Sequence, residues 1–214
     1  GNKVVVASAM SGVTNFLVGM ADSTLDEKLV ALEAFDKKHR DCAAELFDEG
    51  RMKAWEAEYE VRFNKLKALV KDTKAVRDPY YKDNLTSQGE RFSTLILAHV
   101  LMAEGVDAVA LQSEDCGIIA EGKPLNGYAN LKMTERFMDM KLRPMVEAGK
   151  VPIITGFYGI NEDNKPCTFG RGGSDYSAAV VANGINADML EIWTDVSGFM
   201  SADPRVIKNT VRID

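Results

Sequence analysis

The chain has 214 residues, 46% of them hydrophobic, enough to bury a sizeable core as one domain or as a main domain with a subdomain. Its formal net charge of −6 excludes a general affinity for nucleic acid or an anionic membrane, because both need a broad basic face; any anion site must be local. Cys42, Cys116 and Cys167 lie far apart with no Cys-x-x-Cys pair, which fits reduced thiols of a cytoplasmic protein and argues against a disulfide framework or a zinc site.

In chain order, Lys3 to Ala7 reads as a buried strand that turns through Ser8-Ala-Met-Ser-Gly12 into a helix beginning near Thr14. From about 25 to 76 the pattern is helical: Met52, Trp55, Tyr59, Phe63, Leu66 and Leu69 recur every three or four residues, one apolar stripe of a helical hairpin. Gly50-Arg51 marks its expected turn. A helix is expected over 84–104, ended by Gly105, then a strand over 107–112, a helix over 134–148 ended by Gly149, and a strand over 151–158. Asn161 to Pro166 reads as a hairpin or loop tip, followed by a glycine loop, a helix from 174 to about 184, and a strand over 189–194, Met-Leu-Glu-Ile-Trp-Thr. Strands alternating with helices imply a mainly parallel sheet covered on both faces, with ligands at the carboxyl ends of the strands. No apolar run approaches ~18 residues and no signal peptide is visible, so neither spanning nor export is expected.

Four of these loops and helix starts carry candidate chemistry. Thr168-Phe-Gly-Arg-Gly-Gly-Ser-Asp175 offers backbone N–H groups at a helix start, which suit an anion. It matches neither the Walker pattern nor the dinucleotide fingerprint, and a tight structural turn explains the glycines about as well. Arg171 can grip a carboxylate or phosphate with two parallel hydrogen bonds, and Asp175 sits one step into the helix, a pairing that suits phosphoryl transfer. Ser8 to Asn15 offers the hydroxyls of Ser8, Ser11 and Thr14 beside Gly12; helix capping by Thr14 is the alternative. Glu90, in the first turn of its helix, either complements the helix dipole or binds a substrate ammonium. Trp193 to Arg205 carries Asp195, Asp203 and Arg205 after a strand, which suits a nucleotide and its magnesium, a turn built on Ser197-Gly198 and Asp203-Pro204 being the alternative. His39 and His99 lie within helices and read as structural.

Taken together, SAMSGVTN (8–15), QGE (88–90), FGRGGSDY (169–176) and WTDVSGFMSADPR (193–205) resemble, in order, the motifs of the aspartate kinases of the amino acid kinase family. The resemblance implies an α/β fold, a three-layer αβα sandwich with a mainly parallel sheet and a helical hairpin insertion over about 25–80. It also implies one catalytic domain over 1–214, incomplete at both ends. The implied reaction moves the ATP γ-phosphate to the side-chain carboxylate of L-aspartate, giving 4-phospho-L-aspartate, the first step towards lysine, threonine and methionine. The implied ligands are L-aspartate and ATP with Mg²⁺, with no protein metal site, and the intact enzyme is expected to be a homo-oligomer.

By position, the resemblance gives Asp175 the role of organising carboxylate and Arg171 that of catalytic and substrate-gripping cation. Ser8, Thr14, Glu90, Gly173 and Ser174 join Arg171 on aspartate, with Glu90 at the amino group and Arg171 at a carboxylate. Gly12, Thr194, Asp195, Met200, Asp203 and Arg205 line the nucleotide side, where Met200 replaces a tyrosine common in the family. The family's Lys-Phe-Gly-Gly-Thr-Ser strand does not precede Lys3, and its Gly-Ala-Lys segment and C-terminal regulatory domains are absent from these 214 residues. A kinase core weak or inactive by itself is therefore expected. The competing readings are another amino acid kinase, acting on glutamate, acetylglutamate, carbamate or a nucleoside monophosphate, and a non-catalytic ligand-binding fragment.

Overall fold

A computed structural model describes residues 2–194, 201, 207 and 209–211. The elements run β1 (Val5–Ala7), α1 (Val13–Ala21), α2 (Leu25–Leu46), α3 (Glu49–Lys71), α4 (Tyr81–Thr86), α5 (Gln88–Ala103), β2 (Ala108–Leu111), α6 (Ser113–Cys116), β3 (Ala120–Lys123), β4 (Asn126–Ala129), α7 (Leu131–Lys141), α8 (Arg143–Glu147), β5 (Val151–Thr155), β6 (Tyr158–Ile160), β7 (Pro166–Thr168) and α9 (Gly173–Gly184).

The strands β1, β5 and β2 form a parallel sheet in that order, with Val5 opposite Ile153 and Ala110 also opposite Ile153 on its other side. Successive side chains on a strand point to opposite faces, and this alternation sorts the core. Val5, Ala7, Ala108, Ala110 and Ile153 pack with Ala98 and Leu101 of α5, whereas Val4, Val6, Val109, Leu111 and Ile154 pack with Met138 of α7 and Val180 and Val181 of α9. Helices thus cover both faces, the three-layer α/β arrangement expected from the alternation of strands and helices. Two antiparallel hairpins, β3–β4 and β6–β7, flank the sheet.

The helical insertion buries Trp55, Tyr59, Phe63, Leu66 and Val70 of α3 with Leu32 and Phe35 of α2, against Phe92 and Leu95 of α5. The apolar stripe read from the sequence is its core. His39 lies within this core and donates from Nδ1 to the Phe35 carbonyl at 2.8 Å; burial pushes its pKa down to about 4, so the ring is neutral and structural.

Several boundaries differ from the sequence reading. The hairpin turns at Phe47-Asp48, ahead of the expected Gly50-Arg51, because the Asp48 side chain accepts from the Arg51 N–H at 2.7 Å and caps α3. The helix expected over 84–104 is two, α4 and α5, meeting at Ser87, and that over 134–148 divides at Leu142 ahead of Pro144. The strand expected over 151–158 is interrupted by Gly156-Phe157, where Phe157 adopts φ +76°, and resumes as β6. Residues 189–194 form no strand: Met189 is 74% and Trp193 90% exposed, and no described strand offers them a ladder, without which β propensity has no expression.

Candidate active site

The carboxyl ends of β1 and β5 lie side by side, joined by a hydrogen bond from the Gly156 N–H to the Ala7 carbonyl at 3.0 Å. Two other segments, the starts of α5 and α9, close on this point because glycine permits it. A Cβ on Gly89, in the first turn of α5, would lie 2.7 Å from the Ala9 Cβ and 3.2 Å from Val13, so α5 meets the Ser8–Gly12 loop backbone to backbone. A Cβ on Gly156 would lie 2.9 Å from the Ser174 Cβ, which seats the start of α9 on the end of β5. Gly173 packs likewise on Phe157.

Glu90 is the buried acid of this cluster, 2% exposed. Its Oε1 accepts from the Ala9 N–H at 3.1 Å, while Oε2 is buried with no hydrogen-bond partner among the described residues. Burial, against the lowering effect of backbone hydrogen bonds, pushes its pKa up to about 7. A glutamate that served only the helix dipole would stand in water; this one is turned into the loop, and its spare oxygen suits a cationic donor. The Ser93 hydroxyl donates to the Ser8 carbonyl at 2.7 Å, a second tie between α5 and the same loop.

Both helices that point into the cluster begin without a side-chain cap. Gly12 starts α1 at φ +80° and Gly172 starts α9 at φ +71°, a left-handed conformation that glycine adopts without strain. Thr14 is therefore not a cap; it lies half-buried in the first turn of α1. At each helix start, first-turn N–H groups have no intrahelical acceptor and favour an anion. Arg171 and Asp175 are both exposed beside the second of these starts, and neither forms an ion pair among the described residues.

Of the residues read from the sequence, the structure gathers Ser8, Gly12, Thr14, Glu90, Gly173 and Ser174 around the ends of β1 and β5, with Arg171 and Asp175 on the adjoining loop and helix. Thr194 is exposed beyond the sheet; Asp195, Met200, Asp203 and Arg205 lie outside the described residues. The loop after β2 is occupied by a network within the protein. Arg91 donates to Gln112 and, at 2.6 Å, to Glu114, and stacks 4.8 Å over the Tyr158 ring, whose hydroxyl donates to Glu114 at 3.0 Å. That network, Gly156 and the buried Asp83 escaped sequence reading. No sequence signal marks Asp83, which stands between Lys82 and Asn84 in a largely polar stretch.

The amino acid kinase family model matches residues 1–214, and the chain belongs to the amino acid kinase family. Among curated relatives it is 32% identical, over 99% of its length, to lysine-sensitive aspartokinase 3 of Escherichia coli, of which it covers 46%. It is 31% identical over 98% of its length to a bifunctional aspartokinase/homoserine dehydrogenase of Arabidopsis thaliana, of which it covers 23%. The crystal structure of E. coli aspartokinase III in complex with aspartate and ADP superposes with a TM-score of 0.86 at 29% identity, covering 99% of this chain and 46% of that one. The chain thus spans less than half the length of these relatives. Among the described residues no helix is long and apolar enough to cross a membrane.

Proposed function

We propose that this chain is the core of an aspartate kinase and that the cluster at the ends of β1 and β5 is its aspartate site. The observation that carries the reading is Glu90: a buried carboxylate with one unpartnered oxygen, held against the hydroxyl-bearing loop and near a glycine loop with an exposed arginine. The likeness to a structure that holds aspartate and ADP supports the same assignment. Glu90 binds the substrate ammonium, Arg171 a carboxylate, and the N–H groups and hydroxyls of Ser8, Thr14, Gly173 and Ser174 complete the grip.

The nucleophile is the aspartate side-chain carboxylate, which is ionised at neutral pH and needs no general base. One of its oxygens bonds to the γ-phosphorus as the bond from that phosphorus to the bridging oxygen of ADP breaks, and an acyl phosphate and ADP result. The protein's task is to bring two anions together and offset their charge. The uncapped starts of α1 and α9 and Arg171 do this on the described side, and Asp175 orients cationic groups near the transferred phosphoryl group. Mg²⁺ would arrive with the nucleotide and neutralise phosphate oxygens; Asp195 and Asp203, the acids read for that side, lie outside the described residues. Gly12, Thr194, Met200 and Arg205 complete the nucleotide side of the proposal, in a homo-oligomeric cytoplasmic enzyme.

Calorimetric titration of L-aspartate, with L-glutamate as control, into the chain and into Arg171→Ala tests the substrate half directly. Selective aspartate binding that weakens about 10- to 100-fold in the variant, as loss of a charge-assisted pair implies, is the expected result. A folded chain that binds neither amino acid would overturn the assignment.

A further inference from the structure

Asp83 of α4 is fully buried, and its two oxygens are used unequally. Oδ1 accepts from the Leu125 N–H at 2.9 Å, the Thr168 N–H at 2.7 Å and the Thr168 hydroxyl at 2.8 Å; Oδ2 is buried without a partner among the described residues. A buried carboxylate is costly unless its hydrogen bonds offset the desolvation, and all three bonds here go to segments that hold the glycine loop. Thr168 ends β7 and leads directly into Phe169 to Gly172. Leu125 is the tip of the β3–β4 hairpin at φ +61°, and its carbonyl oxygen lies 3.9 Å from where a Cβ on Gly170 would stand. On its other side Asp83 is tied to the start of α5, since its carbonyl accepts from the Ser87 N–H at 3.0 Å, and Glu90 follows about two helical turns on.

We infer that Asp83 is a positioning and specificity-determining residue: through Thr168 and Leu125 it fixes the base of the Arg171 loop relative to Glu90, and so sets the span between the groups that grip the two ends of the substrate. The inference rests on the aspartate reading of the same site. With Arg171 on the side-chain carboxylate, aspartate and glutamate differ in that span by one methylene, and a frame of set length discriminates between them where a loose one does not.

The test titrates L-aspartate and L-glutamate into the chain and into Asp83→Ala, Asp83→Asn and Thr168→Val, and follows amide hydrogen exchange over residues 168–173. Asp83→Ala is expected to weaken aspartate about tenfold, to reduce the aspartate-to-glutamate preference, and to speed exchange in the loop. Asp83→Asn, which keeps an acceptor at the Oδ1 position, restores all three. A folded Asp83→Ala protein with unchanged selectivity and protection overturns the inference, as does an Asn variant as impaired as the Ala one. If Asp83→Ala does not fold, Thr168→Val decides, since it removes only the hydroxyl bond: lowered selectivity supports the inference and unchanged selectivity refutes it. Should the unaltered chain bind neither amino acid, the aspartate reading fails by itself, and the exchange rates alone decide whether Asp83 orders the loop.

Discussion

Burial raises the Glu90 carboxyl from 4.5 to about 7, so folding by itself favours its protonated form while a bound ammonium favours the ionised one. The folded value lies above the unfolded one, so the contribution to stability is fully present below pH 4.5 and is lost as pH rises towards 7. Glu90→Gln, which keeps an acceptor for the Ala9 N–H, removes this titration. Urea denaturation should show the variant gaining on the parent between pH 4.5 and 7, by up to about 3 kcal/mol at pH 8, while calorimetry shows aspartate binding lost at every pH. Aspartate affinity of the parent should fall as pH drops below 7. Equal stability of the two proteins at pH 4.5 and pH 8 would show that burial does not raise the Glu90 carboxyl as described above.

At the scale of elements, the site depends on how closely backbones approach. Gly156→Ala would set a Cβ 3.0 Å from the Ser174 Cα, backbone that cannot yield without moving α9 off the sheet; overpacking of this kind costs about 1–3 kcal/mol, and aspartate affinity should fall with it. Gly172→Ala meets nothing within 4 Å among the described residues and should cost only the left-handed backbone penalty of about 1–2 kcal/mol. Thermal unfolding of the two variants, each with and without aspartate, separates displacement from strain. The elements themselves were unequally legible in the sequence. The stripe from Met52 to Leu69 gave the helical insertion because its burial follows a strict period. The β3–β4 hairpin passed unseen because only Ala120 and Ala129 at its ends are buried, so no alternation marks it. Glu90 could be read as a candidate, but not as buried: its partner Ala9 is 81 residues away, and that contact exists only because Gly89 lacks a side chain. Asp83 was hidden for the same reason, its partners lying 42 and 85 residues further on.

Across the whole molecule, the register that sets Val5 opposite Ile153 has a kinetic consequence. The helices α2 and α3 meet across a two-residue turn, and local contacts of that kind form early, whereas pairing of strands so distant in sequence must close a long loop first. Trp55→Ala should accordingly slow refolding, and Ile153→Val should mainly speed unfolding; stopped-flow chevrons measure both. The reverse partition would place the sheet in the folding nucleus. During synthesis the same register imposes a wait. At about 5–20 residues per second, Val-Val-Val-Ala of β1 leaves the ribosome roughly 7–30 s before β5 exists to receive it. For that interval a short β-prone apolar segment lacks the partner it has among the described residues, and a nascent chain with this order of strands has reason to engage a chaperone at that segment.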